Sequence, residues 1–161
     1  MGICGGYQML GTSVSDPDQV EAAGVTEIAG MGLLDMDTVF RWDKVQTQTR
    51  GVFAGVRGML ENLNGLSYEG YEIHMGRSQE KLPPLQGTGT VYGSYIHGIF
   101  DAPGVSDQIL RAICTKKGLD FAALGTFDLQ EYKGRQYDLL ADVVRGGLDM
   151  ELIYRIINRE V

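Results

Sequence analysis

The chain has 161 residues, 43% hydrophobic and 22% charged, the usage of a globular domain long enough to enclose a substantial core. A formal net charge of −7, with no clustering of Lys or Arg beyond Lys116-Lys117, argues against a nucleic-acid surface, and no run approaches the roughly 20 apolar residues of a membrane span. Two cysteines, Cys4 and Cys114, give no disulfide framework, and no basic leader precedes an apolar stretch, so a cytoplasmic protein with no nucleic-acid or membrane partner is expected.

The chain opens with Gly2-Ile3-Cys4-Gly5-Gly6-Tyr7-Gln8, a cysteine held between glycines, and Gly5 to Leu10 begins a short helix. A thiol in such a strand-to-helix turn stands at the head of a helix, where backbone N–H groups and the helix dipole favour thiolate. Side chains at Gly2, Gly5 and Gly6 are expected to obstruct the strained backbone or the approach of a substrate. The alternative is a small buried cysteine in an N-terminal turn.

Asp16 to Ala23, with Pro17 near its start, carries the signature of a further helix. Val39-Phe40-Arg41-Trp42 and the polar alternation of Lys44 to Arg50 read as two strands, the second at an exposed or edge position. Leu66 to Met75 is another strand region, and Pro83-Pro84 with Gly87-Thr88-Gly89 punctuates a loop before the strand Thr90 to Ile96. Helices follow at Ser106 to Lys117, closed by Gly118, then at Gln130 to Val144 and Met150 to Asn158 with Gly146-Gly147 between them. Cys114 falls in the helical pattern of Val105 to Cys114 and reads as core. Arg135, Arg145, Arg155 and Arg159 read as a solvated face. Strands giving way to flanking helices indicate an α/β layer, here a core over 1–118 with a helical tail over 119–161 packed on it.

A nucleophilic cysteine needs a base, and the chain has two histidines, His74 and His97. His97 is the better candidate, because Gly98 starts a loop just after it and the imidazole then lies at a strand end, where catalytic groups gather. His74, within Gly70-Tyr71-Glu72-Ile73-His74-Met75-Gly76, reads equally as a histidine hydrogen-bonded on a sheet or as a binding residue.

The run from Gly2 to Gly11, the Gly70 to Gly76 segment and Tyr95-Ile96-His97-Gly98-Ile99-Phe100-Asp101 resemble the glutamine amidotransferase domain of the cobyric acid synthase family. The segment from Tyr137 to Tyr154 is similar to the tail of the same family, so the resemblance covers nearly the whole chain. It implies a class I, flavodoxin-like mixed sheet flanked by helices, and a glutaminase in which Cys4 is the nucleophile and His97 its base. By the same match Gly5 would supply an oxyanion N–H, Gln8 would help hold glutamine, and the backbone from Glu72 to Met75, with Glu72 and His74, would line the glutamine pocket.

Many class I amidotransferases carry a glutamate two residues after the catalytic histidine; Ile99 stands there in this chain. Asp101 could orient the imidazole if the loop turns back, although before Ala102-Pro103 it reads equally as a turn starter or helix cap, so a Cys-His dyad is the expectation. An elbow also needs a strand before it, and the resemblance places that strand, a second oxyanion donor and an ATP-dependent synthetase domain upstream of residue 1. The chain is thus expected to be the glutamine half of a longer enzyme that amidates corrinoid carboxylates in cobalamin biosynthesis. Its partners would be glutamine, the upstream domain and a corrinoid bound elsewhere. No metal is expected here, and ATP and Mg²⁺ would belong to the synthetase domain, since no Gly-x-x-x-x-Gly-Lys-Ser/Thr loop occurs. The alternatives are a non-catalytic amidotransferase-like fragment and a glutaminase subunit of lipid II amidation.

Overall fold

The computed structural model describes residues 1–78, 82–125 and 128–160. Two compact units divide the chain, Met1–Ala123 and Leu124–Val161. The first unit begins with β1 (Gly2–Ile3) and α1 (Gly5–Met9), followed by β2 (Ser13–Ser15), β3 (Glu27–Ala29) and the long β4 (Asp37–Val52). A 3₁₀ helix at Gly58–Leu63 leads into β5 (Ser67–Arg77), β6 (Gln86–Thr88), β7 (Val91–Ser94) and α2 (Val105–Lys117).

Two mixed sheets result. One has the order β1-β7-β6, with β1 parallel to β7 through Gly2↔Gly93 and Ile3↔Ser94; the other has the order β3-β2-β4-β5, with β2 parallel to β4 and the remaining pairs antiparallel. Among the described residues, one isolated antiparallel bridge links Tyr71 of β5 to His97, in the segment that follows β7. Phe53, Leu60, Leu63, Tyr92, Ile96, Ile99 and Val105 form one buried cluster, and Tyr7, Leu10, Leu34, Met36 and Tyr95 form a second around α1. Tyr7 packs edge-on to Tyr95 with ring centroids 5.1 Å apart.

Several local expectations change. The two strands read at Val39–Trp42 and Lys44–Arg50 are one strand, whose register against β5 slips between Phe40 and Val45. Asp43, the residue that interrupts the apolar pattern, sits in this irregularity, where Arg77 donates to its backbone carbonyl at 2.7 Å and also pairs with its carboxylate. No helix forms over Asp16 to Ala23. The Asp16 carboxylate instead accepts from the N–H groups of Val20, Glu21 and Ala22 at 2.7, 2.9 and 3.0 Å, gathering donors onto one side chain, and Gln19 adopts φ +53°. Gly87 and Thr88 belong to β6, not to a loop: at Gly87 a Cβ would lie 2.1 Å from the Val91 carbonyl oxygen, so the glycine marks a close strand approach in a hairpin.

The α2 helix ends as expected, with Gly118 in the left-handed region at φ 65°, and Cys114 is buried in it. Its N-cap is Gly104 rather than Asp101. In the second unit, α3 (Leu129–Gly147) and α4 (Met150–Ile157) start at Asp128 and Asp149, whose side chains accept from Gln130 and Glu131 and from Leu152 respectively. Gly146 and Gly147 lie inside the last turn of α3; the break falls at Leu148 and Asp149, where the Asp149 cap restarts the helix. Arg135 and Arg145 are solvated, as expected, each beside an acid on its own helix. No helix among the described residues is long and apolar enough to cross a membrane.

Candidate active site

Cys4 lies between the end of β1 and the start of α1 with φ 52° and ψ −113°, an uncommon backbone state for a residue with a side chain. Hydrogen bonds hold it there: its N–H donates to the Ser94 carbonyl at 2.8 Å, and its own carbonyl accepts from Tyr7 and Gln8 at 2.9 and 3.0 Å. The elbow is tight enough to require Gly2, where a Cβ would fall 2.3 Å from the Gly6 carbonyl oxygen. Gly5 and Gly6 differ from expectation in this respect, since a Cβ at either would meet no protein atom within 4 Å. They leave open space over the helix head; they are not needed to relieve a clash.

The thiol is half-buried and donates to the Ile73 carbonyl at 3.7 Å. Burial pushes the Cys4 thiol above its ordinary pKa, while a hydrogen bond from the Gly5 N–H pulls in the opposite direction and loses. The expected preference for thiolate is therefore reversed in the resting protein.

His97 lies three residues beyond the end of β7, the strand parallel to β1, so the thiol and the imidazole follow the carboxyl ends of neighbouring parallel strands. In open α/β sheets this is where ligands bind. His97 exchanges two backbone hydrogen bonds with Tyr71, of 3.1 and 2.8 Å, and its ring stacks on the Tyr71 ring with centroids 5.0 Å apart and planes 8° from parallel. Its Nε2 is buried and has no hydrogen-bond partner among the described residues. An unsatisfied buried nitrogen costs about 1–3 kcal/mol, and such groups in native proteins often mark chemistry.

Ile99, at the position where a glutamate is often found, is 2% exposed and belongs to the main core, so an acid there would be buried away from the imidazole edge. Asp101 closes a turn that starts at Gly98, its N–H donating to the Gly98 carbonyl at 2.8 Å, so it ends this turn where the sequence reading had it start one. Its carboxylate is not a partner of His97 Nε2.

Gln8, Glu72 and His74 meet behind the elbow. Gln8 is buried, and its amide donates to the Tyr95 hydroxyl at 3.4 Å. Gly76 makes room for it, since a Cβ there would lie 2.3 Å from Gln8 Nε2. The Tyr95 hydroxyl continues to Ser78 at 2.6 Å, and Ser78 to Thr38 at 2.8 Å. His74 stacks on the Tyr95 ring and places Nδ1 2.8 Å from the Gly76 carbonyl and Nε2 3.1 Å from a Glu72 carboxylate oxygen. Both partners are acceptors and stand within reach of the two ring nitrogens, of which a neutral ring donates through one at a time, so His74 is a sheet histidine engaged at its own strand. Beside this network, burial and then the neighbouring Tyr95 hold the Tyr7 phenol far above its usual pKa, so it acts as a donor, to the Gln86 side chain.

Sequence reasoning missed Tyr71, Thr38, Ser78 and Tyr95 as site components, whereas Ile73, whose carbonyl meets the thiol, lies in the Glu72 to Met75 backbone expected to line the pocket. Tyr71 and Ile73 carried one usable signal: they stand two apart in the Gly70 to Gly76 segment and so share one face of β5. Thr38 and Ser78 carried none, because their contact spans forty residues.

Residues 1–105 match the family described as CobB/CobQ-like glutamine amidotransferase domain. The chain is 43% identical over 185 residues to a cobyric acid synthase of Lachnoclostridium phytofermentans, covering 99% of this chain and 36% of that protein. It is 42% identical to a cobyric acid synthase of Ruminiclostridium cellulolyticum, with 99% and 34% covered, and 39% identical to one of Dehalococcoides mccartyi, with 100% and 35% covered. The chain therefore spans about a third of the length of these relatives. By this match over residues 1–105, the chain belongs to the family of CobB/CobQ-like glutamine amidotransferase domains.

Proposed function

We propose that the chain hydrolyses glutamine with a Cys4-His97 dyad and passes on the ammonia. The observation that supports this reading is that a strained, half-buried thiol and a buried imidazole nitrogen, without a partner among the described residues, each follow the carboxyl end of one of two adjacent parallel strands. Cys4 Sγ attacks the side-chain amide carbon of glutamine as its proton passes to His97 Nε2. The N–H of Gly5 donates to the oxyanion that forms, a type of contact whose loss typically costs about 10²–10³ in rate. Collapse breaks the C–N bond, and the Nε2 proton leaves with the amine as ammonia. Water then gives a proton to Nε2 and attacks the γ-glutamyl thioester, releasing glutamate and restoring the thiol.

Gln8, Glu72 and His74 support the glutamine pocket in this reading, with Gln8 and His74 acting through the Tyr95 network that backs the elbow. The relatives of triple length are named cobyric acid synthase. By extension, ammonia from Cys4 would feed an ATP- and Mg²⁺-dependent amidation of corrinoid carboxylates on a synthetase domain upstream.

The test is glutamine-dependent ammonia release by the chain, with and without the upstream region of a relative supplied in trans. Cys4→Ala should abolish it, and His97→Gln should reduce it by about 10²–10⁴. Equal release by wild type and Cys4→Ala, or none in either arrangement, would leave a non-catalytic amidotransferase-like domain.

A further inference from the structure

We propose that Tyr71 is the positioning residue for His97, holding by ring stacking the imidazole that other amidotransferases hold with a carboxylate. The proposal rests on the dyad reading above and adds a third participant to it. A histidine base works when its ring plane and reacting nitrogen are fixed, and in a triad an acid hydrogen-bonded to the far nitrogen does this. Here Ile99 occupies the acid's usual place and is committed to the core.

Strand β5 holds His97 at both its backbone and its ring. Tyr71 exchanges both backbone hydrogen bonds with His97, which fixes the Cα, and lays its ring 5.0 Å from the imidazole at 8°, which restricts the ring plane. Gly70 lets the strands approach this closely, since a Cβ there would lie 2.1 Å from the His97 carbonyl oxygen. Two residues along the same face, the Ile73 carbonyl accepts from the Cys4 thiol. One strand thus sets the nucleophile with a carbonyl and the base with an aromatic face. Stacking constrains a face and occupies neither ring nitrogen, and Nε2 has no partner among the described residues.

Tyr71 is half exposed, so its replacement opens no core cavity and tests the stack itself. The variants are Tyr71→Phe, which keeps the stack and removes the hydroxyl, and Tyr71→Leu, which keeps apolar bulk and removes the ring. Tyr71→Phe should keep kcat within about threefold, while Tyr71→Leu should lower kcat about 10- to 100-fold with KM within about threefold, the penalty of a mis-set catalytic group. Carbon relaxation of the His97 ring, assigned against a His74→Gln variant, should give a high order parameter in wild type and Tyr71→Phe and a reduced one in Tyr71→Leu. Unchanged kcat in Tyr71→Leu would overturn the proposal, and so would an equal loss in Tyr71→Phe or a rise in KM at constant kcat. If wild type shows no Cys4-dependent ammonia release, the dyad reading fails, and the order parameter still decides whether Tyr71 fixes the ring.

Discussion

At the scale of single residues, desolvation and chemistry pull Cys4 in opposite directions. Its thiol is raised above its ordinary pKa by burial against the pull of the Gly5 N–H, which is why the proposed mechanism gives it a base in His97. Alkylation by iodoacetamide should therefore still be accelerating with pH above the ordinary thiol value of about 8.5, followed by mass mapping of the Cys4 peptide apart from buried Cys114. A rate that levels off below pH 7 would mean a thiolate at rest and contradict the role given to burial. The proposed pair, Cys4 and His97, was legible in the sequence, because a glycine-flanked cysteine and a histidine before a glycine are local patterns. Tyr71, Tyr95, Ser78 and Thr38 were not, because each acts through a contact between distant segments of chain.

At the scale of elements, most helices and strands followed from periodicity and caps, and the misses have identifiable causes. Pro17 after Asp16 resembles a helix start, yet the Asp16 carboxylate satisfies three N–H groups by itself and curls the segment into a loop. Burial raises the Asp16 pKa, but those three donors outweigh it and leave the carboxyl below its usual range. A depressed folded-state value means that the loop is stabilised above the ordinary carboxylate pKa of about 3.9 and released as pH falls through the lower, folded value. Asp16→Ala should lower the melting temperature by several degrees at pH 7 and speed amide exchange at Val20, Glu21 and Ala22, with less difference from wild type in acid. Unchanged exchange at those three amides would show that the carboxylate does not hold the loop. The long β4 strand was hidden for a different reason: Asp43 breaks the alternation in sequence, whereas a register slip and Arg77 accommodate it in space.

At the scale of the whole molecule, every buried hydrophobic residue described belongs to the Met1–Ala123 unit, and α3 and α4 contain none. The α4 helix keeps Leu152, Ile156 and Ile157 exposed, and α3 exposes Leu139, Leu140 and Val143. A chain ending at Ala123 should consequently melt cooperatively and self-associate less than the full chain, read by circular dichroism and light scattering. Loss of the cooperative transition would mean that the helical unit is needed for the first unit to fold. The α/β class and the helical tail were both evident from the order of strands and helices, while the division of the strands into two sheets and the bridge between Tyr71 and His97 required the structure.

The central claim is that Cys4 is a glutamine-directed nucleophile activated by His97. The most direct measurement is the intact mass and peptide map of the chain after incubation with a glutamine-mimicking chloroketone. A single adduct on Cys4, suppressed by excess glutamine, slowed at least tenfold in His97→Gln and absent from Cys114, is the expected result. Modification of Cys4 that glutamine does not suppress, or that proceeds at the same rate without His97, would contradict it.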